Sequence, residues 1–258
     1  MELFRIRASG AAKIMTDPQS KADKEAGNLG ATAKSYVLEW DRGKKWNREA
    51  QIGGKYIEKG NACEEDGFDL VSQIKGMMVY KNPLKLENTW ATGTPDPYNK
   101  ATGTLLPFDI KSSWDWTTFP YPQDSLDKNY VWQNTVYAWL AGFPNWTTIY
   151  CLVNTPGRLL RQAKESKWYA LGCPDRTSDA YIEACIDVEK NGIYDMELFL
   201  KRCSDDGEPF ELHCKDWSFD VPAKERIIEF TTPLISEQTE ALIERVKQVR
   251  RFLKQPEV

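Results

Sequence analysis

The sequence is poor in histidine, with one residue, His213, in 258. That excludes mechanisms built on a histidine pair and any His-rich metal site. The six cysteines, Cys63, Cys151, Cys173, Cys185, Cys203 and Cys214, contain no C-x-x-C pair, and free, buried thiols are the expected state. No apolar run approaches the roughly 20 residues that cross a bilayer. The opening MELFRIRASG lacks the apolar core of a signal peptide, so a cytoplasmic location without membrane contact is expected. Positive charge is not in excess. With 34 Lys and Arg against 38 Asp and Glu the net charge is -4, which is not the balance of a protein that coats nucleic acid. Any such contact has to be local, in a basic groove set in an acidic exterior. Internal repeats and low-complexity linkers are also absent. A content of 41% hydrophobic and 12% aromatic residues can bury a full core, so one domain over 1–258 is expected.

What is present concentrates in Trp90 to Ser113, WATGTPDPYNKATGTLLPFDIKSS. Two strand-like runs, Trp90 to Thr94 and Thr104 to Ser112, flank a segment with Pro97, Asn99 and Gly103, which predicts a β-hairpin. Alternation along the second run sends Phe108 and Ile110 to the core and Asp109 and Lys111 to the other face. Hairpin pairing then brings Asp96 of Thr94-Pro95-Asp96 alongside them. Two acids beside one lysine on a largely apolar hairpin are unfavourable unless the charges are paired or gather a metal ion. A surface hairpin with one ordinary acid–lysine pair is the plainer alternative, and these residues alone leave it open.

Elsewhere, Phe4 and Ile6 alternate with Arg5 and Arg7, as in a half-exposed strand, and Ser9 is placed to cap a short helix over 10–15. With Arg5 or Arg7 nearby, that cap is also a candidate phosphate grip. Residues 16–33 read as a mobile loop. Helices are predicted over 33–40 and 46–59, with Tyr36, Trp40, Trp46 and Tyr56 packed inward. Past Gly60, helical spacing puts Ile57, Glu64, Phe68 and Val71 on one stripe and Glu65 with Asp69 and Ser72 on another. Glu64 therefore points inward, to join a metal site or pair with a lysine, and Glu65 points to solvent. After an irregular segment, a helix over 126–141, capped by Asp124 or Ser125 and ended by Gly142, packs through Val136, Trp139 and Leu140. Tyr130, Gln133 and Tyr137 form a second stripe, for a cleft or for solvent. Residues 146–153 make a strand. Arg158, Arg161, Lys164 and Lys167 then recur every three residues, as a solvated face or a phosphate track. A helix is expected over 178–190, short strands within 208–231, and a last helix over 236–254 with Leu242, Val246, Val249 and Leu253 on its apolar stripe.

The order of these pieces over residues 5 to 142 resembles the lambda-exonuclease and YqaJ-like branch of the PD-(D/E)XK nuclease superfamily, the phage recombination exonucleases. Asp109 stands where Glu is commoner. The resemblance implies an α/β (α+β) fold. A restriction-endonuclease-like core over about 5–155 would hold a mixed five-stranded sheet flanked by helices, with a C-terminal extension, about 156–258, of added strands and a helix. It also implies a 5′ to 3′ exonuclease of linear double-stranded DNA that leaves 3′ single strands for a single-strand annealing protein. Two Mg²⁺ (or Mn²⁺) ions are implied, with Asp96 bridging, Asp109 and the Ile110 carbonyl on one ion, and Glu64 on the other side. Lys111 and Gln133 would attend the attacking water or the scissile phosphate. Ser9 and Thr94, with Arg5 or Arg7 and with Tyr137 on the substrate side, would grip a terminal 5′-phosphate. A homotrimeric ring, and the host cytoplasm for a phage-encoded chain, complete the picture. Two readings compete: another nuclease of the superfamily, such as an endonuclease or a single-strand type with an iron–sulfur site on Cys63, Cys185, Cys203 and Cys214, or a non-catalytic DNA-binding protein on the same fold.

Overall fold

The computed structural model describes residues 2–50 and 53–257. The side chains of Lys55 and Tyr56 lie outside the described set, and with them the inward packing expected of Tyr56. The chain opens with β1 (Ile6–Arg7), a 3-10 turn (Ala8–Gly10), α1 (Ala11–Ile14), α2 (Lys21–Glu25), α3 (Ala31–Trp46), α4 (Lys55–Ala62) and α5 (Glu64–Lys75). Strands β2 (Val79–Lys81), β3 (Leu86–Glu87), β4 (Ala91–Gly93), β5 (Pro97–Asn99), β6 (Thr104–Leu105) and β7 (Phe108–Ser112) follow. Then come α6 (Lys128–Ala141), β8 (Asn145–Cys151), α7 (Gly157–Ala170), α8 (Asp179–Gly192), α9 (Met196–Asp205), β9 (Ile227–Pro233) and α10 (Ser236–Phe252). None of the described helices is long and apolar enough to cross a membrane.

The fold is mixed α/β, but its strands form three small sheets, ordered β1-β4-β3, β2-β5-β6 and β7-β8-β9, in place of one five-stranded sheet. Proline explains the breaks. Pro83 falls between β2 and β3, Pro95 between β4 and β5, and Pro107 between β6 and β7, and a residue without an N–H cannot continue a ladder. The hairpin expected from Trp90–Thr94 and Thr104–Ser112 does not form, because β4 and β7 belong to different sheets. The turn signals act more locally. Asn99 Oδ1 accepts from Ala101 N at 2.9 Å, Gly103 takes φ +67°, and β5 folds back on β6. β7 instead pairs in parallel with β8, Asp109 opposite Thr148 and Lys111 opposite Tyr150.

Several other expectations are corrected. Ser9 lies inside the 3-10 turn, whose helical backbone begins one residue earlier at Ala8, so Gly10 and not Ser9 is the N-cap of α1, without a side-chain cap bond. Within the presumed loop, Ser20 caps α2 by accepting from Asp23 N at 3.0 Å. α3 ends where Asn47 turns left-handed at φ 48°, so helix is not continuous through 46–59, and Trp46 is 59% exposed. α9, capped by Asp195, occupies a stretch where no element is expected. Of the strands expected in 208–231, β9 alone forms among the described residues. In the basic run on α7, Arg158 pairs with Glu58, Arg161 with Glu208 at 2.6 Å, and buried Lys164 with buried Glu189 at 2.7 Å, so three of its four charges are matched. Cys173 is exposed, while the other five thiols are buried.

Three apolar clusters hold the elements together. One joins Phe4, Ile6, Ile14, Val37 and Val136 with Leu242, Val246 and Val249 of α10. A second joins Phe68 and Val71 of α5, Val79, Phe108 and Ile149, and a third, Leu160, Ile193, Phe199 and Cys203, unites α7 to α9. The C-terminal helix is tied to the first strand as well as packed on it. Fully buried Arg250 donates to the Phe4 carbonyl through Nε at 3.1 Å and Nη2 at 3.0 Å, and Gln255 Oε1 accepts from Phe4 N at 2.8 Å. These acceptors keep a buried guanidinium tolerable.

Candidate active site

β7 does what alternation requires. Phe108 and Ile110 pack into the second cluster, and Asp109 and Lys111 take the opposite face. Asp109 is 1% exposed, and its Oδ2 lies 2.6 Å from Lys111 Nζ. The contact is ionic but poorly angled, for neither Asp109 oxygen accepts a well-formed hydrogen bond. Burial, the largest single influence, pulls the Lys111 ammonium down, but the charge and close contact of Asp109, with smaller contributions from Tyr130 and Tyr137, together outweigh it and the net shift is upward. Lys111 is therefore charged at neutral pH and cannot serve as a base; it can hold a water or a phosphate oxygen. Its ammonium lies 5.4 Å from the Tyr130 ring centre, and Tyr130 meets Tyr150 edge-on at 6.0 Å.

The close approach of α5 to this strand depends on a glycine. A Cβ on Gly67 would stand 3.0 Å from Ile110 Cγ2, and a β-branched side chain in a paired strand has little freedom to yield. α5 thus delivers Glu64, its first residue, to the cleft. Glu64 is one-third exposed and pairs with Lys81 Nζ at 2.6 Å, whereas Glu65 faces solvent. Glu64 lines the cleft and, in the described structure, pairs with a lysine, the plainer of its two readings.

Asp96 enters from the link between β4 and β5. Burial, then the neighbouring Asp109 carboxylate, raise its pKa well above the usual carboxylate range. Buried Asn82 keeps it there. Asn82 Nδ2 donates to the Pro95 carbonyl at 2.8 Å and to the Leu84 carbonyl at 2.9 Å, and its backbone N–H donates to the Asp96 carbonyl. Asn82, Lys81, Lys59, Trp114 and Tyr150 are site residues that sequence reasoning missed. The Asn-Pro dipeptide at 82–83 was the available signal for the first, as a turn that recruits a side chain.

Glu64, Asp96, Ile110, Lys111, Tyr130 and Tyr150 share a cleft of about 400 Å³. Gln133 and Tyr137 lie buried behind it. Gln133 Nε2 donates to Tyr137 Oη at 3.2 Å, and Tyr137 Oη donates to the Thr94 carbonyl at 3.2 Å. Burial, with Asp109 adding to it, raises the Tyr137 pKa, so it remains a phenol. A Cβ on Gly93 would fall 2.7 Å from the Tyr137 ring, so glycine is what admits the tyrosine. Arg7 lies in the adjacent sheet and Arg5, Ser9 and Thr94 at the ends of its strands, and none of the four lines this cleft. β1 runs parallel to β4 with Arg7 opposite Thr92, which carries exposed Ser9 toward exposed Thr94. Arg5 is engaged by Glu87 at 3.0 Å; Arg7 is exposed and makes no ion pair among the described residues.

The donors suit a hard divalent cation. Two carboxylates converge, and one of them has both oxygens buried without a hydrogen bond, a set that Mg²⁺ or Mn²⁺ accepts when water and substrate oxygens supply the rest. Among the described residues no three His, Cys, Asp or Glu side chains are already gathered for a metal. A ready four-thiol site on Cys63, Cys185, Cys203 and Cys214 is therefore not found there.

The fold that carries this carboxylate–lysine cleft is similar to solved exonucleases. No family model matches the sequence, and no curated protein does. The fold is similar to that of a phage-related exonuclease from Haemophilus somnus, with TM-score 0.65 and 25% identity over 97% of this chain and 94% of that one. It is also similar to an alkaline exonuclease from Laribacter hongkongensis, with TM-score 0.56 and 11% identity over 97% and 88%, and to that enzyme in complex with dAMP, with TM-score 0.57. The first of these supports a nuclease, and an exonuclease in particular; the other two support the fold.

Proposed function

We propose that the protein is a metal-dependent PD-(D/E)XK exonuclease that digests linear double-stranded DNA from 5′ to 3′. The observation that carries this reading is the pairing of Lys111 with buried Asp109 on β7, with Asp96 beside them and with Lys111 and Asp96 lining one cleft of an exonuclease-like fold. Asp96, Asp109 and the Ile110 carbonyl would hold Mg²⁺ or Mn²⁺, and Glu64, once released from Lys81, would serve a second ion. Bound there, divalent ions supply a hydroxide-like nucleophile and offset charge on the leaving oxygen. Lys111, held as an ammonium by Asp109, orients the attacking water or the scissile phosphate. Gln133 and Tyr137 act from behind, fixing the Thr94-Pro95-Asp96 backbone relative to α6. Ser9, Thr94 and Arg7 at the neighbouring sheet are the groups for a terminal 5′-phosphate. A trimeric ring, an annealing partner for the 3′ strand, a role in recombination and a cytoplasmic setting belong to the same proposal.

Release of acid-soluble nucleotides from linear duplex DNA tests it. The wild type is expected to need Mg²⁺ and to stop in EDTA, and Lys111→Ala to lose at least about 10³-fold in rate, on the scale of removing a charge-stabilising group, while still binding DNA. Cleavage that survives EDTA, or a Lys111→Ala variant cutting at the wild-type rate, would refute the assignment.

A further inference from the structure

Lys59 has no place in the chemistry just described, yet it lines the same cleft and is only 1% exposed. Its ammonium donates to the backbone carbonyl of Trp114 and lies 5.8 Å from the centre of the Trp114 ring. An ammonium carries three donors, and this one makes no ion pair among the described residues. Burial lowers its pKa to about 8. The other lysine lining the cleft, Lys111, is neutralised by Asp109. Lys59 therefore brings to the cleft a positive charge that is in no ion pair among the described residues, with the Asp115 carboxylate near enough to favour the charged form.

The carbonyl that holds Lys59 is itself held firmly. Asp115 Oδ1 accepts from Thr117 N at 3.1 Å and Thr118 N at 3.0 Å. Trp116 N donates to Tyr194 Oη at 3.0 Å, and Trp116 Nε1 donates to Asn191 Oδ1 at 2.6 Å. The segment after β7 is thus fastened to α8 and the residues that follow it, and it presents the Lys59 ammonium in a fixed position. A cation buried at a cleft wall, oriented in advance and short of acceptors, is arranged to receive an anion at little cost in reorganisation.

We propose that Lys59 binds a backbone phosphate of the DNA strand lying in the cleft, a phosphate other than the one being cut. The inference rests on DNA being the substrate. Its role is to hold and register the strand, so its removal weakens binding more than it slows the bond-breaking step.

The test is the affinity of the full-length protein for a short 5′-phosphorylated duplex, measured by fluorescence anisotropy in EDTA across a range of salt. Lys59→Met is expected to bind about tenfold more weakly and to lower the slope of log affinity against log salt by about 1, as expected when one fewer phosphate is neutralised. Lys59→Arg is expected to keep the slope. Lys59→Gln, which retains an N–H donor without the charge, is expected to behave like Lys59→Met and decides the matter where the methionine variant fails to fold. Wild-type affinity and slope in Lys59→Gln or Lys59→Met, with melting temperature alone reduced, would show a structural tether and overturn the proposal. A wild-type protein that neither binds nor degrades duplex DNA would instead refute the nuclease reading itself.

Discussion

Asn82 and Lys111 work from opposite sides on one pair of carboxylates. Lys111 balances Asp109 electrostatically, while Asn82 holds the backbone that carries Asp96. Replacing Asn82 with Ala would strip the Pro95 and Leu84 carbonyls of their side-chain donor and loosen the segment that carries Asp96, whose carbonyl keeps the backbone N–H of residue 82. The loss in stability should be about 1–3 kcal/mol, read from urea unfolding, and the rate of DNA cleavage should fall more than DNA affinity. Equal losses in rate and affinity would mean that Asn82 supports the fold and not Asp96. Asp109 and Lys111 were legible in the sequence because strand alternation is a local rule. For Asn82 the Asn-Pro dipeptide marked only a turn; its partners are backbone carbonyls, one of them 13 residues away, and a backbone carbonyl leaves no trace in residue identity.

Among the elements, helix periodicity carried further than strand pairing. The stripe logic separated Glu64 from Glu65 and put Leu242, Val246 and Val249 in the core, each fully buried. The hairpin failed because turn residues specify only a nearby reversal; which strand β7 joins depends on β8, across the whole of α6. The pairing of the basic run on α7 was hidden for a similar reason. Its acidic partners come from distant segments, and Glu189 gathers Lys164 Nζ at 2.7 Å, His213 N at 2.7 Å and Cys214 N at 2.9 Å. Burial alone would raise the Glu189 pKa, but these donors together lower it from 4.5. A lowered carboxylate contributes its stability above its unfolded value and loses it as the pH falls through the folded one. Glu189→Gln should therefore cost about 3–5 kcal/mol near pH 7, because a buried lysine loses its partner. In urea unfolding the gap to wild type should narrow below about pH 4.5. A gap unchanged with pH would contradict this clasp of α7, α8 and the segment around His213.

On the scale of the molecule, a net charge of -4 coexists with a cleft in which the lysines are placed singly and most are matched. Lys111 is matched by Asp109 and, at the rim, Lys81 by Glu64. Such an arrangement favours binding at a defined point on DNA over general attraction along it. The C-terminal residues take part in the same body: α10 closes the first cluster, and Arg250 and Gln255 grip Phe4. An exonuclease that needs an end is distinguished from every competing reading by digestion in Mg²⁺ of three duplex DNA substrates: 5′-phosphorylated linear, 5′-hydroxyl linear and covalently closed circular. Rapid loss of the phosphorylated linear substrate is expected, with slower loss of the hydroxyl-ended one and intact circles. Cleavage of the circles, or no cleavage of any substrate, would contradict it.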